Sequence, residues 1–257
     1  MRVCVLASGS LGNSIYIEGG DTAILVDAGL SLRETSRRLS SIGASVERIS
    51  AVLLSHEHSD HIRGIGVLAR SLRAPIYANI GTAEALSCTL NGNERVEHFE
   101  TGKGFMLNGL YIHPFSVPHD AADPVQFCIT DGRSKVGIVT DLGYVTRLVM
   151  ESIKGVNLVI IEANHDTEML LNGPYPWELK RRIMGKFGHL SNTESAETLS
   201  ALARGGLERA ILAHLSRENN TPELALETVR RCLLRNDIKR FELSVADQYR
   251  PSPVLDI

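Results

Sequence analysis

The run His56-Glu57-His58-Ser59-Asp60-His61, set directly after the apolar stretch Ala51-Val52-Leu53-Leu54, constrains this chain more than any other feature. Three imidazoles and the Asp60 carboxylate crowd into six residues at the end of a strand-like segment. Neutral imidazole and ionised carboxylate are the donors that Zn²⁺, Mn²⁺ and Fe²⁺ take. With nine His in 257 residues, chance produces H-x-H-x-D-H in only about one such chain in two thousand. A metal site is therefore the better explanation than a polar surface loop. Four candidate ligands exceed what one tetrahedral site with a water position can take. The alternation points His56 and His58 one way and leaves Asp60 and His61 to reach a second ion.

Further ligands are expected at other strand ends. His119 follows Ser116-Val117-Pro118, Asp141 follows Val136–Thr140, and His214 follows Ala210–Ala213. Each ends an apolar run and begins a loop, so each can face one cleft at the edge of the sheets. A lone His in such a place is usually structural; three residues placed alike argue otherwise.

The pattern along the chain is strand-rich, then helical. Strands are expected at 2–7, 14–18, 22–27, 51–54, 76–78, 94–98, 110–117, 125–131, 135–140, 156–161 and 210–213. The run Val156–Ile161 is almost continuously apolar, as in a strand covered on both faces. Helices are expected at 32–42, 65–72, 82–89, 176–186, 193–204 and 222–235, with Pro176 in the first turn of one and Asn192 as the N-cap of another. Two strand blocks, each followed by helices, predict two sheets packed face to face between helical layers. No linker or low-complexity segment divides the chain, which predicts a single domain over 1–257.

A hydrophobic content of 43% and a charged content of 22% are those of a soluble globular protein. No apolar stretch reaches the ~18 residues a membrane span needs, and the strand that starts at Arg2 leaves no room for a signal peptide. Cys4, Cys88, Cys128 and Cys232 lack metal-binding spacing and read as buried thiols in a reducing, cytoplasmic setting. The net charge of −3 does not describe a general polyanion binder. Positive charge is nevertheless clustered, and the cluster Lys180, Arg181, Arg182 and Lys186 runs into Gly188-His189-Leu190-Ser191-Asn192.

These residues together resemble the metallo-β-lactamase fold superfamily, whose five signatures match in order Asp27 (in Val26-Asp27-Ala28-Gly29), His56–His61, His119, Asp141 and His214. The resemblance implies a four-layer αββα sandwich with two facing mixed β-sheets. It also implies two divalent metal ions, Zn, Mn or Fe. One would be held by His56, His58 and His119, the other by Asp60, His61 and His214, with Asp141 bridging them. Asp27 would accept a hydrogen bond from a ligand imidazole and fix its tautomer. A Cys in place of Asp141 would mark a β-lactamase; the Asp resembles the hydrolases and nucleases of the superfamily. The large β-CASP insertion of RNA-processing members would fall between Asp141 and His214, where a helix, a strand and a loop account for the sequence.

Three stretches resemble the YycJ (WalJ) branch: Ala7-Ser8-Gly9-Ser10-Leu11-Gly12-Asn13-Ser14, Glu162-Ala163-Asn164-His165-Asp166, and Gly173-Pro174-Tyr175-Pro176 leading to 188–192. That branch implies 5′→3′ exonuclease action on DNA, with a water ionised between two metals as nucleophile and Asp60 orienting it. His189 is expected to contact a phosphate oxygen or protonate the leaving group, with Ser191 and Asn192 as further donors to the substrate. His165 is a further candidate for the cleft. The glycine-rich turn at 8–13 reads equally well as a phosphate contact or as a tight hairpin. The alternative function is a hydrolase of a small cyclic phosphodiester, lactone or thioester.

Overall fold

The computed structural model describes residues 1–87 and 89–257; the expectation for Cys88 lies outside them. In chain order the elements are β1 (Arg2–Ala7), β2 (Ser14–Gly19), β3 (Thr22–Val26), α1 (Leu32–Ser41), β4 (Ile49–Leu53), α2 (Ser59–Ile62), α3 (Ile65–Leu72), β5 (Ile76–Ala78), α4 (Ile80–Leu86), β6 (Val96–His98), β7 (Phe105–Leu107), β8 (Leu110–Ser116), β9 (Val125–Thr130), β10 (Lys135–Val139), α5 (Arg147–Ser152), β11 (Leu158–Glu162), α6 (Thr167–Asn172), α7 (Trp177–Ile183), α8 (Asn192–Arg204), β12 (Arg209–Ala213), α9 (Pro222–Arg235), β13 (Glu242–Val245) and β14 (Leu255–Asp256).

The strands form two mixed seven-stranded sheets, ordered β14-β1-β2-β3-β4-β5-β6 and β13-β12-β11-β10-β9-β8-β7. In each, an antiparallel meander gives way to parallel strands: β3 to β6 in the first, β10 to β13 in the second. Because successive side chains of a strand face opposite ways, one strand feeds two cores. Val3, Val5, Ala51, Leu53, Leu158 and Ile160 fill the layer between the sheets. Cys4, Leu6, Val52 and Leu54 face the outer layer of the first sheet with Leu39 of α1 and Leu68 of α3. Val159 and Ile161 face that of the second with Leu199 of α8 and Val229 of α9. This double burial is why 51–54 and 156–161 read as continuous apolar runs. The expected four-layer αββα sandwich is the observed one. Among the described residues, no helix is long and apolar enough to cross a membrane.

Several local expectations are corrected. Ser191, not Asn192, is the N-cap of α8: its Oγ accepts from Glu194 N, and the Glu194 carboxylate accepts from Ser191 N. This reciprocal pair satisfies two otherwise orphaned donors, so the helix begins one residue earlier than expected. Pro176 likewise occupies the N-cap position of α7, and that helix stops at Ile183 rather than reaching Lys186. Short elements with little periodicity of their own were not anticipated, namely β7, β13, β14, α2, α5 and α6. Cys4 and Cys128 are buried as expected, but Cys232 is only half-buried.

One charged side chain ties the first sheet to the C-terminal segment. Arg38 of α1 is 4% exposed; its Nη1 donates to Leu6 O at 2.7 Å and Gln248 O at 3.0 Å, and its Nε to Glu34 Oε1 at 2.7 Å. Hydrogen bonds from Arg37, against some burial, and then those from Arg38 hold the Glu34 carboxyl down at about 2. A folded-state value depressed below the unfolded ~4.3 stabilises fully above the unfolded pKa. The contribution disappears as pH falls through the folded one. Glu34 keeps partial solvent contact, so Glu34→Gln is expected to cost only about 1 kcal/mol at pH 7. Denaturant titrations should show that gap closing between about pH 4.5 and 2; a gap independent of pH would contradict the assignment.

Candidate active site

Strand ends of both sheets deliver the expected residues to one edge. Asp27 follows β3, Ser55 and His56 follow β4, Asp141 follows β10, Glu162 ends β11 and His214 follows β12. Three of these leave their strands in the left-handed region: Asp27 at φ 63°, Asp141 at φ 56° and His214 at φ 55°. Non-glycine residues are uncommon there and store strain. The turn breaks the strand ladder at the point where the functional side chain begins. The loop 56–61 is clamped from below by the segment 27–29: Ala28 N donates to His61 O at 2.7 Å, Asn13 N to Asp60 O at 2.8 Å and Gly29 N to Asn13 O at 2.9 Å. A Cβ on Gly29 would lie 1.8 Å from Asp60 O, so only glycine lets the two backbones approach this closely.

The imidazoles converge with their outer nitrogens tied. His61 Nδ1 donates to Asp27 Oδ2 at 2.8 Å. Ser55 Oγ donates to the same carboxylate and lies 2.9 Å from His56 Nδ1, whose N–H it accepts. His58 Nε2 donates to Asp120 O at 2.8 Å, and His119 Nδ1 to Gly188 O at 3.3 Å. His214 Nδ1 donates to Glu162 Oε1 at 2.7 Å. Five rings are thus each fixed through one nitrogen, the arrangement that orients metal-binding histidines. Of the inner nitrogens, His61 Nε2 lies 3.0 Å from Asn13 Nδ2, His119 Nε2 lies 3.3 Å from His58 Nδ1, and His56 Nε2 has no partner.

Donor atoms of His56, His58 and His119 lie within 4.8 Å of one another, as do those of Asp60, His61 and His214 and those of His56, His61 and Asp141. His56 Nε2 and Asp141 Oδ2 are buried without a hydrogen-bond partner, a costly condition that a cation would relieve. The donor set therefore fits divalent metal.

The charges are mutually arranged. Burial pushes the His56 pKa well below its ordinary value, with His61 and His119 adding to the effect. Burial also disfavours the His61 imidazolium, but Asp27 and Asp141 outweigh it and raise its pKa well above the ordinary range. His214 behaves likewise, against burial, through Asp141, Asp60 and Glu162. Asp141 is lowered by His214 and His61 despite full burial.

The surrounding cleft, about 420 Å³, is lined by Asp60, His119, Asp141, His189 and His214 and, farther out, by Arg182, Phe187 and Arg217. His189 lies between two expected ligands, with ring centroids 5.3 Å from His119 and 5.2 Å from His214. Its Nδ1 donates to Glu162 Oε1 at 2.8 Å, leaving Nε2 as the free ring nitrogen.

A family model described as "Beta-lactamase superfamily domain" matches residues 22–215. The chain belongs to this superfamily. It is 37% identical to Exodeoxyribonuclease YycJ of Bacillus anthracis over 99% of this chain and 98% of the relative. It is 38% identical to Exodeoxyribonuclease WalJ of Streptococcus pneumoniae strain D39, over 92% of this chain and 90% of the relative. The crystal structure of the metallo-β-lactamase fold protein YhfI from Bacillus subtilis is similar in fold, with a TM-score of 0.75, 18% identity and 98% of each chain covered. The chain is accordingly a hydrolase of the metallo-β-lactamase fold, and the fold together with the His and Asp clusters implies divalent metal.

Other expected site residues are placed differently. The side chains expected to meet substrate at Ser191 and Asn192 belong to the scaffold. Ser191 caps α8, and Asn192, 1% exposed, donates its amide to Asn220 Oδ1 at 2.9 Å. His165 is buried at 2% exposure behind the cleft wall, which Asn164 lines instead. The basic run is split: Lys180 is buried and donates to Leu171 O and Gly173 O, while Arg182 lines the cleft and pairs with Asp120 at 2.9 Å. The turn at 8–13 braces the 56–61 loop and the start of the segment after β12, with Asn13 Nδ2 donating to Asp60 Oδ2 at 2.9 Å and Ser8 Oγ accepting from His214 N at 2.7 Å.

Glu162, Ser55 and Asn13 were not expected to hold the site. Glu162 had the same signal as Asp141, a polar residue closing a continuous apolar strand, and could have been found by it.

Asp27→Asn removes the negative charge and half of the acceptor capacity beside His61 and Ser55. It is expected to weaken metal affinity by about 10- to 100-fold, measured by competition with a calibrated chelator; wild-type affinity would contradict the role. Protons compete with metal for these imidazoles, and His61 and His214 have raised values. Bound metal should therefore fall as pH drops from 8 towards 5 in equilibrium dialysis, and full retention at pH 5 would refute this.

Proposed function

We propose that this hydrolase is a dinuclear, metal-dependent phosphodiesterase that removes nucleotides from DNA in the 5′→3′ direction, in the cytoplasm. The observation that carries this reading is the relationship, along almost the whole chain, to proteins named exodeoxyribonucleases. The cleft geometry is consistent with it. His56, His58 and His119 would hold one ion and Asp60, His61 and His214 the other, with Asp141 between them. Bound there, the pair would supply Lewis acidity toward a phosphoryl oxygen and favour ionisation of the attacking water.

The chain's own groups account for the rest. Asp60 orients the attacking water. His189 presents Nε2 to the leaving oxygen as a proton donor, while Glu162 accepts from Nδ1 and fixes the orientation of the ring. Because the same Glu162 oxygen accepts from His214 and from His189, it sets both rings at once. Arg182 and Arg217, which line the cleft, are the residues expected to contact phosphates.

The test is digestion of 5′- and 3′-labelled DNA and RNA with Mn²⁺ or Zn²⁺. The expected result is metal-dependent release of nucleotides from the 5′ end of DNA, abolished by Asp141→Ala. His189→Gln should lower kcat by about 10²- to 10⁴-fold with a much smaller change in KM. Activity at subsaturating DNA should fall steeply with salt, because Arg and Lys contacts to phosphate release counterions. Intact DNA after incubation with metal-loaded protein would overturn the reading. Turnover of a small chromogenic phosphodiester alone, with weak salt dependence, would point to a small-substrate hydrolase instead.

A further inference from the structure

Phe187 is 61% exposed, yet it lines the cleft and lies two residues before His189. Its backbone is held firmly. His189 N donates to Ile183 O and Gly188 N to Gly185 O, both at 2.9 Å, and Gly188 O accepts from His119 Nδ1. A Cβ on Gly188 would fall 2.1 Å from Ile183 O and 2.3 Å from Arg182 O, so the turn is closed as tightly as its backbone allows. A rigid turn thus holds a largely solvent-exposed aromatic ring beside the catalytic imidazole. The ring adds little to the core, and its apolar face is left uncovered in water.

The same cleft is lined by a second aromatic residue, Tyr175, by Arg217 and by Arg182, whose guanidinium pairs with Asp120 at 2.9 Å. Flat π faces flanked by cations are how a strand of nucleic acid is held without regard to sequence, since every base offers a face for stacking and every linkage a charge. A base inside a duplex has both faces already covered by its neighbours and is paired along its edge. An internal base can be seated on a fixed ring only once it is released from the stack, whereas the terminal pair of a duplex offers one uncovered face.

Resting on the exonuclease reading above, we propose that Phe187 is the stacking face for one nucleobase close to the scissile phosphate. Where that base is internal to a duplex, the strand enters the cleft with it unstacked from its neighbours. Phe187 is a binding and positioning residue, and its effect falls on KM more than on kcat.

The experiment uses metal-loaded full-length protein and DNA strands in which a single abasic residue is moved one position at a time from the 5′ end. In the wild type, kcat/KM should fall about 5- to 100-fold when the abasic residue occupies one particular position and change little elsewhere. Phe187→Ala should lose a similar factor on intact DNA, mostly in KM, and become indifferent to the abasic residue at that position. Phe187→Trp should restore both activity and the positional penalty. Because the ring is largely in solvent, the melting temperature of Phe187→Ala should match the wild type.

A flat abasic scan in the wild type overturns the inference, as do penalties that multiply in Phe187→Ala. A change in sedimentation mass with an unchanged scan also overturns it and assigns the ring to contact between copies of the chain. Wild-type protein that leaves every DNA intact overturns the exonuclease reading and this inference with it. Cleavage without positional dependence removes the Phe187 role alone.

Discussion

Everything at this site depends on carboxylates held inside the protein at the ends of strands. Asp27, Asp141 and Glu162 are 4%, 2% and 0% exposed, and buried carboxylates are costly unless each is paired and hydrogen-bonded. Here the partners are imidazoles. Asp27 holds His61 and, through Ser55, His56; Glu162 holds His214 and His189; Asp141 lies between His61 and His214 at 3.5 and 3.2 Å. The carboxylates are made tolerable by the rings, and the rings are oriented by the carboxylates. Neither could be placed this deeply without the other.

The two sheets make that mutual arrangement possible. Parallel strands end at the same edge, so β3 and β4 of one sheet and β10, β11 and β12 of the other all release their chains at the mouth of the sandwich. Left-handed turns at Asp27, Asp141 and His214 interrupt the ladders there, and the strain is carried by a rigid four-layer scaffold. The metal loop adds little rigidity of its own, since α2 is a single turn. It is held in place by backbone hydrogen bonds from 13 and 28 and by the close passage of Gly29.

The connection between metal loop and cleft runs through a few side chains with two duties. Glu162 accepts from two imidazoles, those of His214 and His189. Asp120 accepts from His58 through its carbonyl and pairs with Arg182 through its carboxylate. The turn that carries Phe187 supplies, one residue on, the carbonyl that orients His119. The cleft wall and the converging rings are thus parts of the same short chain of polar contacts.

The donor chemistry and most of the layers are legible in the order of residues along the chain. His56–His61 could be read because imidazoles crowded at a strand end are rare, and β4 and β11 because strands buried on both faces leave unbroken apolar runs. His119, Asp141 and His214 were legible for a related reason, each being a polar residue that stops such a run. Which polar residues face the cleft depends instead on how the strands pair and the helices pack. Ser191, Asn192 and His165 sit in a motif that reads as functional, but α8 packs so that Ser191 caps it and Asn192 meets Asn220 across a buried contact. Glu162, two residues before Asn164, reaches the site instead, because strand alternation and the register of β11 between β10 and β12 bring its carboxylate beside His189 and His214. Local spacing fixes which groups are available. The long-range pairing of strand ends fixes which of them meet, since partners such as His119 and Gly188 or Glu162 and His214 are adjacent only after both sheets have formed.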